Sequence, residues 1–107
     1  MKLNEYQVLA QRTSNTRTDG QKIRNGLYGL NGEAGECIDV LKKYEFQGHA
    51  LDRDKLLDEL GDVLWYVAET AEGLGVSLAK VAMHNIEKLR KRYPDGFEVE
   101  RSINRSE

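Results

Sequence analysis

Two pairs of acids are the residues in this chain best placed to do chemistry. Glu33 and Glu36 stand three residues apart in Gly32-Glu33-Ala34-Gly35-Glu36. Glu59 and Asp62 do the same in Glu59-Leu60-Gly61-Asp62, so the pattern repeats at an offset of 26 residues. On a helix this spacing puts both members of a pair on adjoining positions of one face, where like charges repel. Four carboxylates brought together by two neighbouring helices are tolerable only beside a cation. The natural one is a hard divalent ion with oxygen ligands, Mg²⁺ or Mn²⁺.

Helical periodicity surrounds both pairs. Ile23, Leu27, Leu30, Ala34, Ile38 and Leu41 recur at steps of three and four, and so do Leu56, Leu60, Val63, Leu64, Val67, Ala71 and Leu74. At about 100° per residue, each acid pair falls roughly 100–160° to the same side of its apolar stripe. Two such helices can line one cavity. Gly26, Gly29, Gly32 and Gly35 run through the first of them, each at a cost of about 1 kcal/mol relative to alanine. Gly26 and Gly29 share the side of the acids. Either a neighbouring helix packs closely there or a flat ligand uses the room.

The elements follow from these patterns. A short helix is predicted over Leu3 to about Thr13, with Asn4 as N-cap and Tyr6, Leu9, Ala10 and Thr13 on one face. After a polar turn ending at Asp19-Gly20, a long helix runs from about Gln21 to Tyr44 and another from about Asp54 to Glu72, stopped by Gly73 and Gly75. Tyr66 falls on the acid side of the latter and Trp65 elsewhere, suited to packing or a subunit interface. Lys55, four residues before Glu59, makes an ordinary helix ion pair. His49, in the connecting loop, offers a phosphate ligand or an acid, the alternative being a lone loop histidine that is simply solvated.

Ser77 caps a last helix over Leu78 to Arg92, halted before Pro94. Asn85 interrupts its apolar face of Leu78, Val81, Ala82, Ile86 and Leu89, where an amide needs a partner. Lys88 and Arg92 lie beside it, four apart, and together the three suit a phosphate group. The alternative is that these cations only complement the helix C-terminus. Glu98 to Glu107 reads as a polar tail, which leaves residues 1–97 as the domain.

With 107 residues, 39% of them hydrophobic, the chain fits one domain with a modest core that association would enlarge. The formal charge of −2 and the few aromatics give no sign of nucleic-acid or membrane affinity. Cys37 is the single cysteine, so no disulfide forms within the chain, and its position beside Ile38 suits a buried thiol. Without an apolar leader or a span-length apolar run, the expected location is cytoplasmic.

Gly-Glu-Ala-Gly-Glu, then Glu-Leu-Gly-Asp-Val, then Asn85-Ile-Glu-Lys88-Leu-Arg-Lys-Arg92-Tyr-Pro together resemble the MazG-type all-α nucleoside triphosphate pyrophosphohydrolases. The resemblance implies a helical bundle of about four helices per chain, with sites completed in a homodimer or homotetramer. It implies Mg²⁺-dependent cleavage of a nucleoside triphosphate between the α- and β-phosphates, in nucleotide-pool house-cleaning or control of a particular pool. Residue by residue, Glu33, Glu36, Glu59 and Asp62 fall on the family's metal positions. Lys88 and Arg92 fall on its phosphate-contacting cations, and Asn85 on a polar ligand contact of some members. One carboxylate not fully used by metal, Glu36 or Glu59, would orient or deprotonate the attacking water. Two other readings stand beside this one: a non-catalytic helical module that binds a nucleotide or protein, and a metal-free bundle whose acids are solvated surface.

Overall fold

The structure, a computed structural model, describes residues 1–105. Its elements are α1 (Leu3–Gln11), α2 (Asp19–Phe46), α3 (Arg53–Gly73), α4 (Leu78–Arg92) and the short α5 (Val99–Ile103), with no strand among the described residues. The fold class is all-α, as read from the sequence. The last two residues of the expected tail lie outside the described residues, and α5 occupies its middle.

Local signals set the ends of the helices. Asp52 accepts from the Lys55 N–H at 2.9 Å to start α3, and Ser77 accepts from the Lys80 N–H at 3.1 Å to start α4. α3 ends in a left-handed turn at Gly75, φ 71°, where the Val76 N–H donates to the Ala71 carbonyl at 3.0 Å. α2 begins two residues before the predicted start, because Thr18 and Gln21 form a capping box across Asp19-Gly20. Asn4 is not an N-cap. Lys2 holds that position in extended conformation, and the Asn4 side chain instead accepts from the Ala79 N–H at 3.0 Å. Gln7 does the same for Leu78 N–H at 2.7 Å. Side chains of α1 thus satisfy N-terminal donors of α4 and fix the angle between the two helices.

α2 and α3 pack side by side along the face that carries the acids. The apolar stripes read as core are largely bare: Leu27 is 51% exposed, Ile38 67% and Leu60 59%. The cause lies in the glycines. At Gly26 and Gly29 an added Cβ would collide with Thr70 and with the ring of Tyr66, so α3 sits where these side chains are missing. Close packing is therefore the use of Gly26 and Gly29, whereas Gly32 and Gly35 face open space. Gly29→Ala is expected to cost about 1–3 kcal/mol through overpacking, more than the roughly 1 kcal/mol of helix propensity it gains. Chemical denaturation measures this, and an unchanged or raised midpoint would contradict the packing described.

The hydrophobic core is small, built on Ala10, Ala68 and Leu78 with Tyr6, Trp65 and Val67 against it. A buried polar hub adds to it at the junction of α1, α2 and α3. The fully buried Glu69 carboxylate accepts from Gln11 Nε2 at 2.8 Å, Ser14 Oγ at 2.9 Å, Thr16 Oγ1 at 3.0 Å and Asn25 Nδ2 at 3.0 Å. Lys22 Nζ stands 3.6 Å away and also donates to Gln11 Oε1 at 2.7 Å. Burial pushes the Glu69 carboxyl up, but the four hydrogen bonds outweigh it and hold the group below its ordinary value, ionised. The turn from Arg12 to Thr18 is pinned to α3 in this way.

Candidate active site

The seam between α2 and α3 brings three of the four acids together. One oxygen from each of Glu33, Glu59 and Asp62 lies within 4.8 Å of the others. Helix spacing places Glu59 and Asp62 on one face of α3, and the close approach allowed by Gly26 and Gly29 brings Glu33 of α2 against them. Glu36, one turn further along, is exposed and outside this trio, although its charge reaches both Glu33 and Lys55.

Like charges at this distance raise each other's proton affinity. The hydrogen bond between Glu33 and Glu59 is the main cause that pushes the Glu33 carboxyl up, to about 7. Partial burial and the charges of Asp62, Glu59 and Glu36 add to it. Glu59 moves the opposite way. The Lys55 ammonium, 2.9 Å from Glu59 Oε1, is the first cause, and the bond from Glu33 the second, so Glu59 stays ionised although only 5% of it is exposed. The Lys55 pair expected from the spacing is thus present, but its acid is buried rather than a surface group. The donor set of three carboxylates in mutual reach, whose mutual repulsion helps raise the proton affinity of Glu33, fits a hard divalent cation.

This electrostatic tension carries a prediction for the metal-free protein. With a folded pKa above its unfolded value near 4.5, Glu33 binds more proton in the native state. Its ionisation therefore lowers stability as pH rises between about 4.5 and 7. Glu33→Gln should remove this slope and raise the melting temperature at pH 8 by roughly 2–5 °C. A lower melting temperature in the variant would contradict the repulsion inferred here.

A cleft of about 330 Å³ opens beside the trio, lined by Thr13, Glu33, Asp62, Trp65 and Tyr66. Tyr66 lines it, as its helical position suggested. Trp65, placed away from the acid side and suited to packing, packs against the core and also lines the cleft, its indole N–H donating to the Ala10 carbonyl at 3.1 Å and Thr13 Oγ1 at 2.8 Å. The two rings meet edge to face with centroids 5.0 Å apart. Thr13, in the turn after α1, lines the cleft, and Tyr6 of α1, whose hydroxyl pKa is raised by burial and by the charge of Asp62, lies near it.

Asn85, Lys88 and Arg92 are placed elsewhere. Asn85 is exposed on α4, and the apolar residues around it, Val81, Ile86 and Leu89, are each more than a third exposed, so its amide bears no burial cost within one chain. Lys88 and Arg92 line a second groove, against α5, that shares no residue with the acid cleft. His49 lies on the exposed loop after α2 and lines neither cavity. Cys37 is half-buried and free. No helix among the described residues is long and apolar enough to cross a membrane.

Comparison with known proteins places the chain among its relatives. The Gene 37 protein of Mycobacterium phage L5 is 43% identical over 72 residues, which are 64% of this chain and 63% of the phage protein. The chain thus spans less than two thirds of that relative. The uncharacterized protein YvdC of Bacillus subtilis is 35% identical over 83 residues, 69% of this chain and 76% of the other. No solved structure matches significantly. Residues 21–97, from the first turns of α2 to the end of the Tyr93–Phe97 turn, match the MazG nucleotide pyrophosphohydrolase domain, and the chain belongs to that family.

Proposed function

We propose that this protein is a Mg²⁺-dependent nucleoside triphosphate pyrophosphohydrolase that cleaves between the α- and β-phosphates, releasing monophosphate and pyrophosphate. The observation that carries the reading is the trio Glu33, Glu59 and Asp62 in mutual reach within a chain of this family. These carboxylates would hold the cation, with Mn²⁺ as a substitute of the same ligand preference. When bound, the metal supplies positive charge against the phosphate oxygens and acidifies water for attack.

The chain's own residues take the remaining roles. Glu36, close to the trio but outside it, orients the attacking water and accepts its proton; Glu59, ionised beside Lys55, stays a ligand. Trp65 and Tyr66 offer aromatic surface beside the acids on which a base can stack. Lys88 and Arg92 neutralise the departing pyrophosphate and Asn85 hydrogen-bonds the nucleotide.

These cations line one cavity and Glu33 and Asp62 of the acid trio line another in one chain, so a complete site joins two chains, in a homodimer or homotetramer. Two further observations support association. The bare stripes of α2 and α3 leave large apolar area uncovered. The radius of gyration, 16.9 Å, also exceeds the roughly 13 Å of a compact domain of this length. The same site suits nucleotide-pool house-cleaning in the cytoplasm.

The test is pyrophosphate release from a panel of ribo- and deoxynucleoside triphosphates with and without Mg²⁺, using Glu36→Gln as control. Metal-dependent release from one or a few substrates, lost in the variant, is the expected result. Nucleotide binding with no product from any of them would favour a non-catalytic binding module.

A further inference from the structure

The groove of about 630 Å³ between α4 and α5 is lined on one side by Lys88, Lys91 and Arg92 and on the other by Arg101 and Arg105. Glu98 and Glu100 are the acids on its wall, with Asn104 beside them, so five cations outnumber two carboxylates. Glu98 Oε1 stands 3.8 Å from Arg101 Nε, an ion pair between half-exposed groups of the kind that contributes little. It engages one nitrogen of a guanidinium that carries several further donors. The volume is that of a small-molecule site, about 300–1,000 Å³. Two of its cations are those that fall on the family's phosphate positions, but Arg101 and Arg105 lie beyond residues 21–97, the stretch that matches the family.

We propose that the groove between α4 and α5 binds the polyphosphate chain of the nucleotide, with Arg101 and Arg105 as phosphate ligands beside Lys88 and Lys91. A linear chain of phosphates needs several cations spaced along it. Arg meets phosphate oxygens with paired N–H donors where Lys offers a point charge. Arg101 on α5 and Arg105 just after its C-cap Asn104 add two guanidiniums to the α4 cations lining the groove, so the segment after Phe97 becomes part of the binding machinery rather than a tail. The inference rests on the nucleotide reading above for the identity of the ligand, while the groove itself can be tested with inorganic tripolyphosphate alone.

Calorimetric titration of the full chain with tripolyphosphate, in metal-free buffer at low salt, makes that test. The double variant Arg101→Ala/Arg105→Ala should bind about tenfold or more weakly, as expected for two lost charge-assisted contacts at a partly exposed site. Arg101→Lys/Arg105→Lys, which keeps the charge, should recover part of the loss. The nucleotide KM should rise in the Ala variant in parallel. Unchanged tripolyphosphate affinity in the Ala variant would overturn the proposal, as would absence of binding by the unaltered protein. Binding of a single-stranded oligonucleotide with none of tripolyphosphate would overturn it too. If tripolyphosphate binds through these arginines but no nucleotide is cleaved, the hydrolase reading fails and the groove stands. If cleavage proceeds with affinity and KM unchanged in the Ala variant, only the groove proposal fails.

Discussion

Glu59→Gln is expected to abolish Mg²⁺ binding and lower pyrophosphate release about a thousandfold, while the chain stays folded. Lewis-acid stabilisation of a phosphoryl transition state is worth several kcal/mol, and each 1.4 kcal/mol is a factor of ten in rate. Glu59 is the acid on which this rests most heavily. It is the most buried of the trio, and its ionised state is maintained by Lys55 at 2.9 Å and by the hydrogen bond from Glu33. Glutamine keeps the shape and can still meet both neighbours, so the loss falls on charge. Calorimetric titration with Mg²⁺ alongside the turnover assay separates the two effects. Undiminished turnover, or Mg²⁺ affinity equal to that of the unaltered protein, would remove Glu59 from the site.

Glu69→Ala should destabilise the fold more than any substitution in the acid cleft. Four hydrogen-bond donors and the Lys22 ammonium converge on this fully buried carboxylate. Its removal leaves the partly buried Lys22 ammonium without its counter-ion and several polar groups without their acceptor. Breaking a buried ion pair from one side costs about 3–5 kcal/mol, which for a domain of this size lowers the melting temperature by roughly 12 °C or more. The turn from Arg12 to Thr18 would come loose first, and with it Thr13, the partner of Trp65 at the edge of the cleft. Circular dichroism melts measure the effect. A variant that melts within about 3 °C of the unaltered protein would show that the hub contributes little.

Much of this was legible in the sequence where the signal is local. Ser77 and Pro94 bracket α4 at the same limits that the structure gives, and the acid pairs on α2 and α3 meet in three of their four members. Signals that depend on a distant partner were not legible. Glu69 stands on its helix between Ala68 and Ala71 with nothing nearby in sequence to mark it, since its donors come from α1, from the turn after it and from α2. Asn4 and Gln7 read as ordinary α1 residues because the N–H groups they satisfy lie more than 70 residues away. Periodicity identified the stripes of Leu27, Ile38 and Leu60 as faces that seek cover, yet it does not say which surface supplies it. Within one chain, the glycines turned the acid-bearing faces of α2 and α3 toward each other instead.

The bond that is cleaved tests the proposed function most directly. Phosphorus NMR of the reaction with Mg²⁺, run in ¹⁸O-labelled water on the best substrate of the panel, identifies both products and the phosphorus that takes up the label. The expected result is nucleoside monophosphate and pyrophosphate as the first products, with the label on one of the two and no diphosphate formed. Nucleoside diphosphate and orthophosphate, or products that form equally well without metal, would contradict a pyrophosphohydrolase built on Glu33, Glu59 and Asp62.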